Sequence, residues 1–534
     1  MCNRQVAENR TEGVAKISDF CRPSFVSPCN CVVLCWLLPC LIRRVQSQPF
    51  QYFPRNPPET VLYQVVSGEL ETFLARQRER DREVPKFVED EFRSFLECGI
   101  LAHGFMRVYC DSCRHNRLVP FSCKRRGWCP SCGGRRMAET AAHLVDHVFP
   151  VAPVRQWVLS VPFALRYRLG YDSTLLSAVL NVFVRGVFDG LRRRAAELYG
   201  VKSAQCGAAT FIQRFGDALN LAPHFHSIVL DGIYAPGRNG QPELHELPAP
   251  EDEDVARVAS IVVRRVEALL KRRGLLGKNG EPQDADPVCE NEPGLAAIYS
   301  ASVRSRIAAG ANTGCRVETL GDQVDGDILD SIRTARCATV CGFSVHANVS
   351  VGALDRRRLE RLIRYASRPA VSTERLSELP DGRLLYRLKR KWRNGTTEIV
   401  FERADFIARL AALVPAPRAH LARYHGVLGP ASKLRPHLIP RDEGDPLIDA
   451  EASLLPDGNT EQAKLPPRKN YSWASLLKRV FEIDVLVCEL CGSSVRIIAA
   501  IQPPDTTRKI LDCLGLPSRP PPIAPARCPT FNLE

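Results

Sequence analysis

This 534-residue sequence lacks an uninterrupted apolar run of bilayer-spanning length. The longest apolar run, Cys31–Ile42, is twelve residues with Pro39 inside it, whereas a spanning helix needs about 20. The run also makes a poor secretory signal. It starts late, no small-residue cleavage site follows, and Arg43 and Arg44 come directly after it. No internal repeat is present, which argues against solenoid and array architectures. The twenty-one cysteines form no regular ladder of the kind that staples small secreted domains. The expectation is a cytoplasmic chain with no membrane partner. At roughly 150 residues per domain, its length predicts about three or four domains.

What is present is an ordinary globular composition, 45% hydrophobic and 25% charged. Lys+Arg 73 against Asp+Glu 59 gives a net charge of +14, which favours a polyanionic partner. Residues 1–51 lack periodicity and are expected to be a poorly ordered extension. A Cys-, His- and Arg-rich region covers 52–150. Apolar strands and helices take over from Val151 to about 415, with an expected insertion at about 236–336. A basic segment and a proline-bearing linker occupy 416–470, and a last module, 471–534, carries Cys488-Glu-Leu-Cys491. The texture predicts a strand over Arg155–Phe163, a helix over Ser173–Tyr199 and a second helix over Glu251–Arg273. It also predicts a strand over Cys341–Val351 and a helix from Asp355 to about Ser367. Asn394–Gly395 reads as a two-residue hairpin turn. The fold class is α+β.

Cys110-x2-Cys113-x15-Cys129-x2-Cys132 has the spacing of a two-knuckle structural zinc site, in which four thiolates complete a tetrahedral shell. Four buried thiols or a redox pair is the alternative. Cys98, His103, His115, Cys123, His143 and His147 could serve a second zinc. Cys488 and Cys491 show half of another site. Lys124, Arg125, Arg126, Trp128, Arg135 and Arg136 surround the knuckles. Cations with an indole suit phosphate contact and base stacking, and equally a solvated basic face.

His224-Phe225-His226 places two imidazoles on one side of a strand, where they can hold a divalent cation and leave positions open for substrate oxygens. On the helix after Asp355, Leu359, Leu362, Ile363 and Ala366 form an apolar face. Arg358, Arg361, Arg364, Tyr365 and Arg368 occupy the opposite face. Cations around a phenol favour its phenolate form and hold phosphate against it. A tyrosine capping a basic surface is the plainer reading. The segment Arg387–Arg393, including Lys389, Lys391 and Trp392, is a further candidate phosphate contact or a charged solvent-facing edge.

HFHSIVLDG, RLERLIRYASRPA and RYHGVLGPASKLRP, in that order, resemble the rolling-circle transposases of the HUH nuclease superfamily. Specifically, they resemble the insertion-sequence family numbered ninety-one and its common-region (ISCR) relatives. FSCKRRGWCPSCGGRRMAETAAHLVDHV resembles their N-terminal zinc-binding domain, and the likeness runs from about Tyr52 to Pro525. It implies a central HUH domain, an antiparallel sheet with flanking helices, between a zinc-binding module and a small C-terminal module. It implies Mg2+ or Mn2+ on His224 and His226, structural Zn2+, and single- and double-stranded DNA as partners at element ends and target. Tyr365 would be the catalytic nucleophile, leaving a 5′-phosphotyrosine and a free 3′-OH. His346 is the first candidate for a third metal ligand, and equally a core or capping histidine; Gln213 is the second candidate.

Two-tyrosine relatives carry Y-x-x-x-Y on this helix. Here the first position is Arg361, so the chain resembles the single-tyrosine branch. Either Tyr365 is reused for the second strand transfer, or the partner in a dimer supplies a nucleophile. Tyr424 is a further candidate for DNA contact or for that nucleophile. The alternatives are a plasmid replication initiator or relaxase with the same chemistry, and a non-catalytic zinc-dependent DNA-binding protein.

Overall fold

The computed structural model describes residues 55–527 except 238, 278–285, 322–334, 393, 440–470 and 483. The expected extension and most of the expected linker lie outside the described residues.

The first helices are α1 (Val61–Glu79), capped by the Thr60 hydroxyl, and α2 (Lys86–Glu97). They close over Trp128, whose ring lies 5.0 Å from Phe92 and 4.6 Å from Phe95. β1 (Phe105–Tyr109) and β2 (Asn116–Pro120) form a hairpin around Cys110 and Cys113, and α3 (Pro130–His147) starts directly after Cys129.

β3 (Val154–Ser160) begins the main sheet. It stops short of the expected Phe163, because Pro162 instead opens α4 (Phe163–Tyr171). α5 (Ser173–Tyr199) has the expected bounds. The Asp172 carboxylate accepts the Thr174 and Leu175 N–H groups, and Gly200 at φ 68° ends the helix. By length and composition α5 could cross a membrane, but here its apolar side is buried against the sheet. β4 (Gly207–Phe215) and β5 (Leu221–Leu230) follow, then a ribbon of β6 (Gly232–Pro236) and β7 (Pro242–Glu246).

α6 (Asp252–Arg272) opens on a capping box between Glu251 and Asp254. α7 (Pro287–Asn291), α8 (Pro293–Val303) and β8 (Glu318–Gly321) complete this stretch. β9 (Cys337–Val340), β10 (Phe343–Val351) and α9 (Arg356–Ala366) come next, and the Asp355 carboxylate caps α9 through the Arg358 N–H. The remaining elements are β11 (Leu376–Glu378), β12 (Leu384–Arg387), β13 (Thr396–Phe401), α10 (Arg403–Leu413), β14 (Ala422–Gly426), α11 (Arg435–Leu438), α12 (Trp473–Phe481), β15 (Arg496–Ile501) and α13 (Pro504–Cys513).

The main sheet has six strands in the order β14-β4-β5-β3-β10-β9, and every neighbouring pair is antiparallel. Phe225, Val229, Ile212, Leu159 and Val345 on one face pack on α5 and α6. The region expected to be an insertion therefore supplies part of the core. Val255, Val258, Val262 and Val266 of α6 are buried, and without this stripe that face would stand in water. The other face, with Phe211, Ile228, Val154 and Val351, packs on Ala141 and Leu144 of α3 and on Leu359, Ile363 and Ala366 of α9. The zinc-region helix and the tyrosine helix thus share one side of the sheet.

A second sheet runs β11-β12-β13-β8. The expected hairpin pairs Leu384 with Phe401 and Arg387 with Glu398, but its connection is longer than Asn394–Gly395. Trp392 is partly buried in the core. Its N–H donates to the Thr396 carbonyl and the Gly395 N–H to the Trp392 carbonyl, so the chain still turns next to Gly395. The Leu388 N–H reaches the Thr397 carbonyl, and residues 389–391 bulge out between these bonds. The C-terminal segment does not stand apart from the N-terminal region. β15 pairs with β1, Phe105 opposite Ile501 and Tyr109 opposite Arg496, giving the sheet β15-β1-β2.

Candidate active site and zinc centres

The four cysteines read as one zinc set do not converge on one point. Cys129 and Cys132 gather with Cys98 and Cys123, while Cys110 and Cys113 gather with Cys488 and Cys491. Within each group the sulfurs all lie within 4.8 Å of one another. The reason is local. The β1–β2 hairpin carries Cys110 and Cys113 at its tip, and α3 starts from the far end of β2. Cys98 closes α2, and the Cys123 N–H points at the Cys98 sulfur at 3.4 Å. Cys98 and Cys132 sulfurs are 3.8 Å apart, and Cys123 and Cys132 are 3.3 Å apart. Cys98 and Cys123, weighed for a second zinc, thus complete the first. His143 and His147 do lie side by side, rings 5.6 Å apart and tilted by 43°, but belong to neither cysteine group.

On the main sheet, residues paired in register share a face. His226 is opposite Val158 and Phe211, and His224 is opposite Ser160 and Gln213. The two imidazole rings lie 4.9 Å apart. His224 Nδ1 is 2.8 Å from the Ala222 carbonyl, so it carries the proton and donates. His226 Nδ1 is 2.9 Å from the Gln156 side-chain amide. With the amide oxygen turned to accept that N–H, Nε2 of each ring keeps its lone pair for a cation. Burial holds both histidines below their ordinary pKa, His226 strongly, with the Arg368 charge adding to it. They are therefore neutral at pH 7, the form that binds metal.

Tyr365 of α9 stands over this pair. Its ring is edge-on to His226 at 6.0 Å, and it is 38% exposed. The Lys389 ammonium lies 4.3 Å from the Tyr365 ring centre and the Arg368 guanidinium 5.1 Å. Arg368 also pairs with Asp217 at 3.4 Å. Burial, with Arg368 and Arg390 nearby, holds Lys389 below the ordinary lysine pKa.

Gln213 ties the helix to the sheet, its amide nitrogen donating to the carbonyls of Ala366 at 2.7 Å and Tyr365 at 3.3 Å. Its side-chain oxygen is buried and has no hydrogen-bond partner. A buried, unsatisfied amide oxygen directly across from His224 is a hard donor fitted to Mg2+ or Mn2+. His346 shares the face but sits one strand farther, with Val158 between it and His226. It is half-buried, and burial holds its pKa down. A cavity of about 440 Å³ opens beside the site, lined by Arg136, His143, Gln213, Arg368, Tyr424 and Tyr471 among others. Tyr365, His224 and His226 are not in its wall.

Two family models match the chain. Residues 207–435 match the Y2_Tnp transposase family, and residues 69–161 match the transposase zinc-binding domain Zn_Tnp_IS91. The chain is a transposase of the IS91 family. Comparison with curated proteins and with solved structures gives no match. The matched segments hold His224, His226 and Tyr365 in one and Cys98, Cys110, Cys113, Cys123, Cys129 and Cys132 in the other. The transposase therefore carries a zinc-binding domain and acts on DNA.

Its expected DNA contacts divide by exposure. Lys124, Arg126 and Arg135 are exposed, as are Arg358, Arg361 and Lys391, while Arg364 is half-buried. Arg125 bonds the Ser94 hydroxyl, and Arg136 donates to the carbonyls of Lys124 and Arg125, so both brace the loop around Cys129. Trp128 is not available for base stacking. It is fully buried, because a ring that large is worth more in the α1–α2 core than at the surface. Tyr424 lies on the edge strand β14 with Arg435 over its ring at 5.8 Å, two strands from His226.

The sequence reading missed Gln156. A polar residue inside an apolar strand was its signal. Gly133 was missed as well: a Cβ there would come within 2.7 Å of Pro369, so its bareness lets α3 approach the segment after Tyr365.

Proposed function

We propose that this transposase nicks and rejoins single-stranded DNA at element ends through a 5′-phosphotyrosine on Tyr365, in the rolling-circle manner of the HUH nucleases. The observation that carries the reading is the Tyr365 ring set edge-on to His226 at 6.0 Å beneath two cations. Nε2 of His224, Nε2 of His226 and the free oxygen of Gln213 hold Mg2+ or Mn2+, with His346 as the alternative third ligand. When bound, the ion polarises the scissile phosphate.

The Tyr365 oxygen attacks phosphorus and loses its proton to solvent. A Tyr365 O–P bond forms as the bond from phosphorus to the 3′ oxygen breaks, and that oxygen leaves as a 3′-OH after taking a proton. Lys389 and Arg368 offset the charge on the phosphoryl oxygens. The covalent link conserves the phosphodiester, so a 3′-OH can attack it and rejoin the strand without ATP. The exposed cations Lys124, Arg126, Arg135, Arg358 and Arg361 track the backbone of single- and double-stranded segments. The protein then works within the bacterial nucleoid, and a dimer would bring a second Tyr365 for the second transfer.

The test incubates protein with Mn2+ and end-labelled single strands and resolves protein–DNA adducts on denaturing gels. The adduct should form and should vanish in Tyr365→Phe. An adduct that persists in that variant removes Tyr365 as nucleophile. Normal cleavage by His224→Ala/His226→Ala removes the metal assignment.

A further inference from the structure

Two segments far apart in the chain meet at a second cluster of four thiols. We propose that Cys110, Cys113, Cys488 and Cys491 hold a zinc ion of their own, which clasps the C-terminal segment onto the zinc-binding domain. Two adjacent sulfur pairs, Cys110–Cys491 and Cys113–Cys488, stand 3.4 and 3.5 Å apart. Around a tetrahedral zinc with sulfurs at roughly 2.3 Å, neighbouring sulfurs are roughly 3.8 Å apart, whereas a disulfide needs about 2.05 Å.

The two halves have the same backbone. The Cys110 N–H donates to the carbonyl of His115, five residues on, and the Cys110 carbonyl accepts from Arg114, four residues on. The Cys488 N–H donates to Ser493, and the Cys488 carbonyl accepts from Gly492, at the same two spacings. The fourth residue is left-handed in each, Arg114 at φ 61° and Gly492 at φ 72°. Two matching knuckles facing one another give four converging thiolates and leave none unpaired.

The junction needs a tie. Its buried apolar set is small, Phe105, Ile501 and Leu511, and Ile497 of β15 is 55% exposed. A core of that size contributes little, and small domains compensate with a metal or a covalent staple. Around the thiols, Arg496 makes two bonds to Asp111 at 2.8 and 3.0 Å, and His115 lies 3.3 Å from Glu489. The first pair is exposed and the second partly so, and such pairs contribute little alone. The clasp also reaches the tyrosine helix. Arg479 of α12, shortly before Cys488, bonds Asp146 of α3 at 2.9 Å and Glu360 of α9 at 2.8 Å.

The test uses the full chain. Elemental analysis should find about two zinc ions per chain, falling to about one in Cys488→Ser/Cys491→Ser. Cys491→His, which keeps a zinc ligand at an exposed position, should retain about two, and Cys513→Ser should change nothing. Hydrogen exchange should show β1 and β15 losing protection in the double serine variant, with β5 and α5 unchanged. About one zinc in the wild type, or about two still held by the double serine variant, overturns the proposal. So does finding the four thiols paired as disulfides in protein purified under reducing conditions.

Discussion

The Lys389 ammonium stands 4.3 Å from the centre of the Tyr365 ring, although the two residues come from different sheets' surroundings, α9 and the loop after β12. That lysine is placed to meet both the phenol and any phosphate brought to it. Lys389→Met should slow adduct formation about 10- to 100-fold at saturating DNA, on the order of 1–3 kcal/mol of charge-assisted contact. Lys391→Met, two residues on and exposed, should have a smaller effect. Single-turnover cleavage rates decide it, and equal losses would show only general attraction to DNA.

Gln213 should govern metal affinity. Gln213→Ala removes the unsatisfied oxygen across from His224 and should raise the Mn2+ requirement roughly 10- to 100-fold. Gln213→Glu keeps an oxygen donor but cannot donate to the Ala366 and Tyr365 carbonyls, so it should recover only part of it. Calorimetric Mn2+ binding gives a readout apart from turnover. If His346→Ala weakens Mn2+ more than Gln213→Ala does, the third ligand is His346.

Trp128→Ala should destabilise the protein by about 3–5 kcal/mol, the usual cost of emptying a large aromatic site. Denaturant unfolding measures this. The residual folded protein should bind DNA with unchanged salt dependence, because the buried indole touches no solvent.

His425 gives a pH signature. Burial, helped by Arg423, lowers its pKa to about 4 from the ordinary 6.5. Because the folded value is depressed, the stabilising contribution is present above pH 6.5 and is lost as pH falls toward 4, where the unfolded chain takes up a proton first. The midpoint for denaturant unfolding should fall across that window. His425→Gln should flatten the fall, and an unchanged slope would assign it to other groups such as His226.

Short-range chemistry was readable from the residues. Asp172 and Gly200 bound α5, Asp355 starts α9, and His224-Phe225-His226 alternates as a strand must, because caps and periodicity are set by neighbours in sequence. The apolar stripe of α9 also told which way Tyr365 faces. The pairing of cysteines was not readable. Each C-x2-C turn is a local motif, but which turn shares an ion with which depends on chain packing, and Cys113 and Cys488 are far apart in sequence. The fate of Trp128 was equally hidden, since an indole among arginines looks the same whether α1 and α2 close over it or not.

By itself, then, the sequence determined the parts: a histidine pair on a strand, a tyrosine among cations, cysteine knuckles and the family they signal. Only the tertiary structure decided how those parts combine. It set Gln213 across from His224, brought Lys389 over Tyr365, and divided eight thiols between two centres. The physical reason is that helix caps and alternation follow from torsions within a few residues, whereas register, sheet order and helix docking follow from burying apolar faces shared by distant segments.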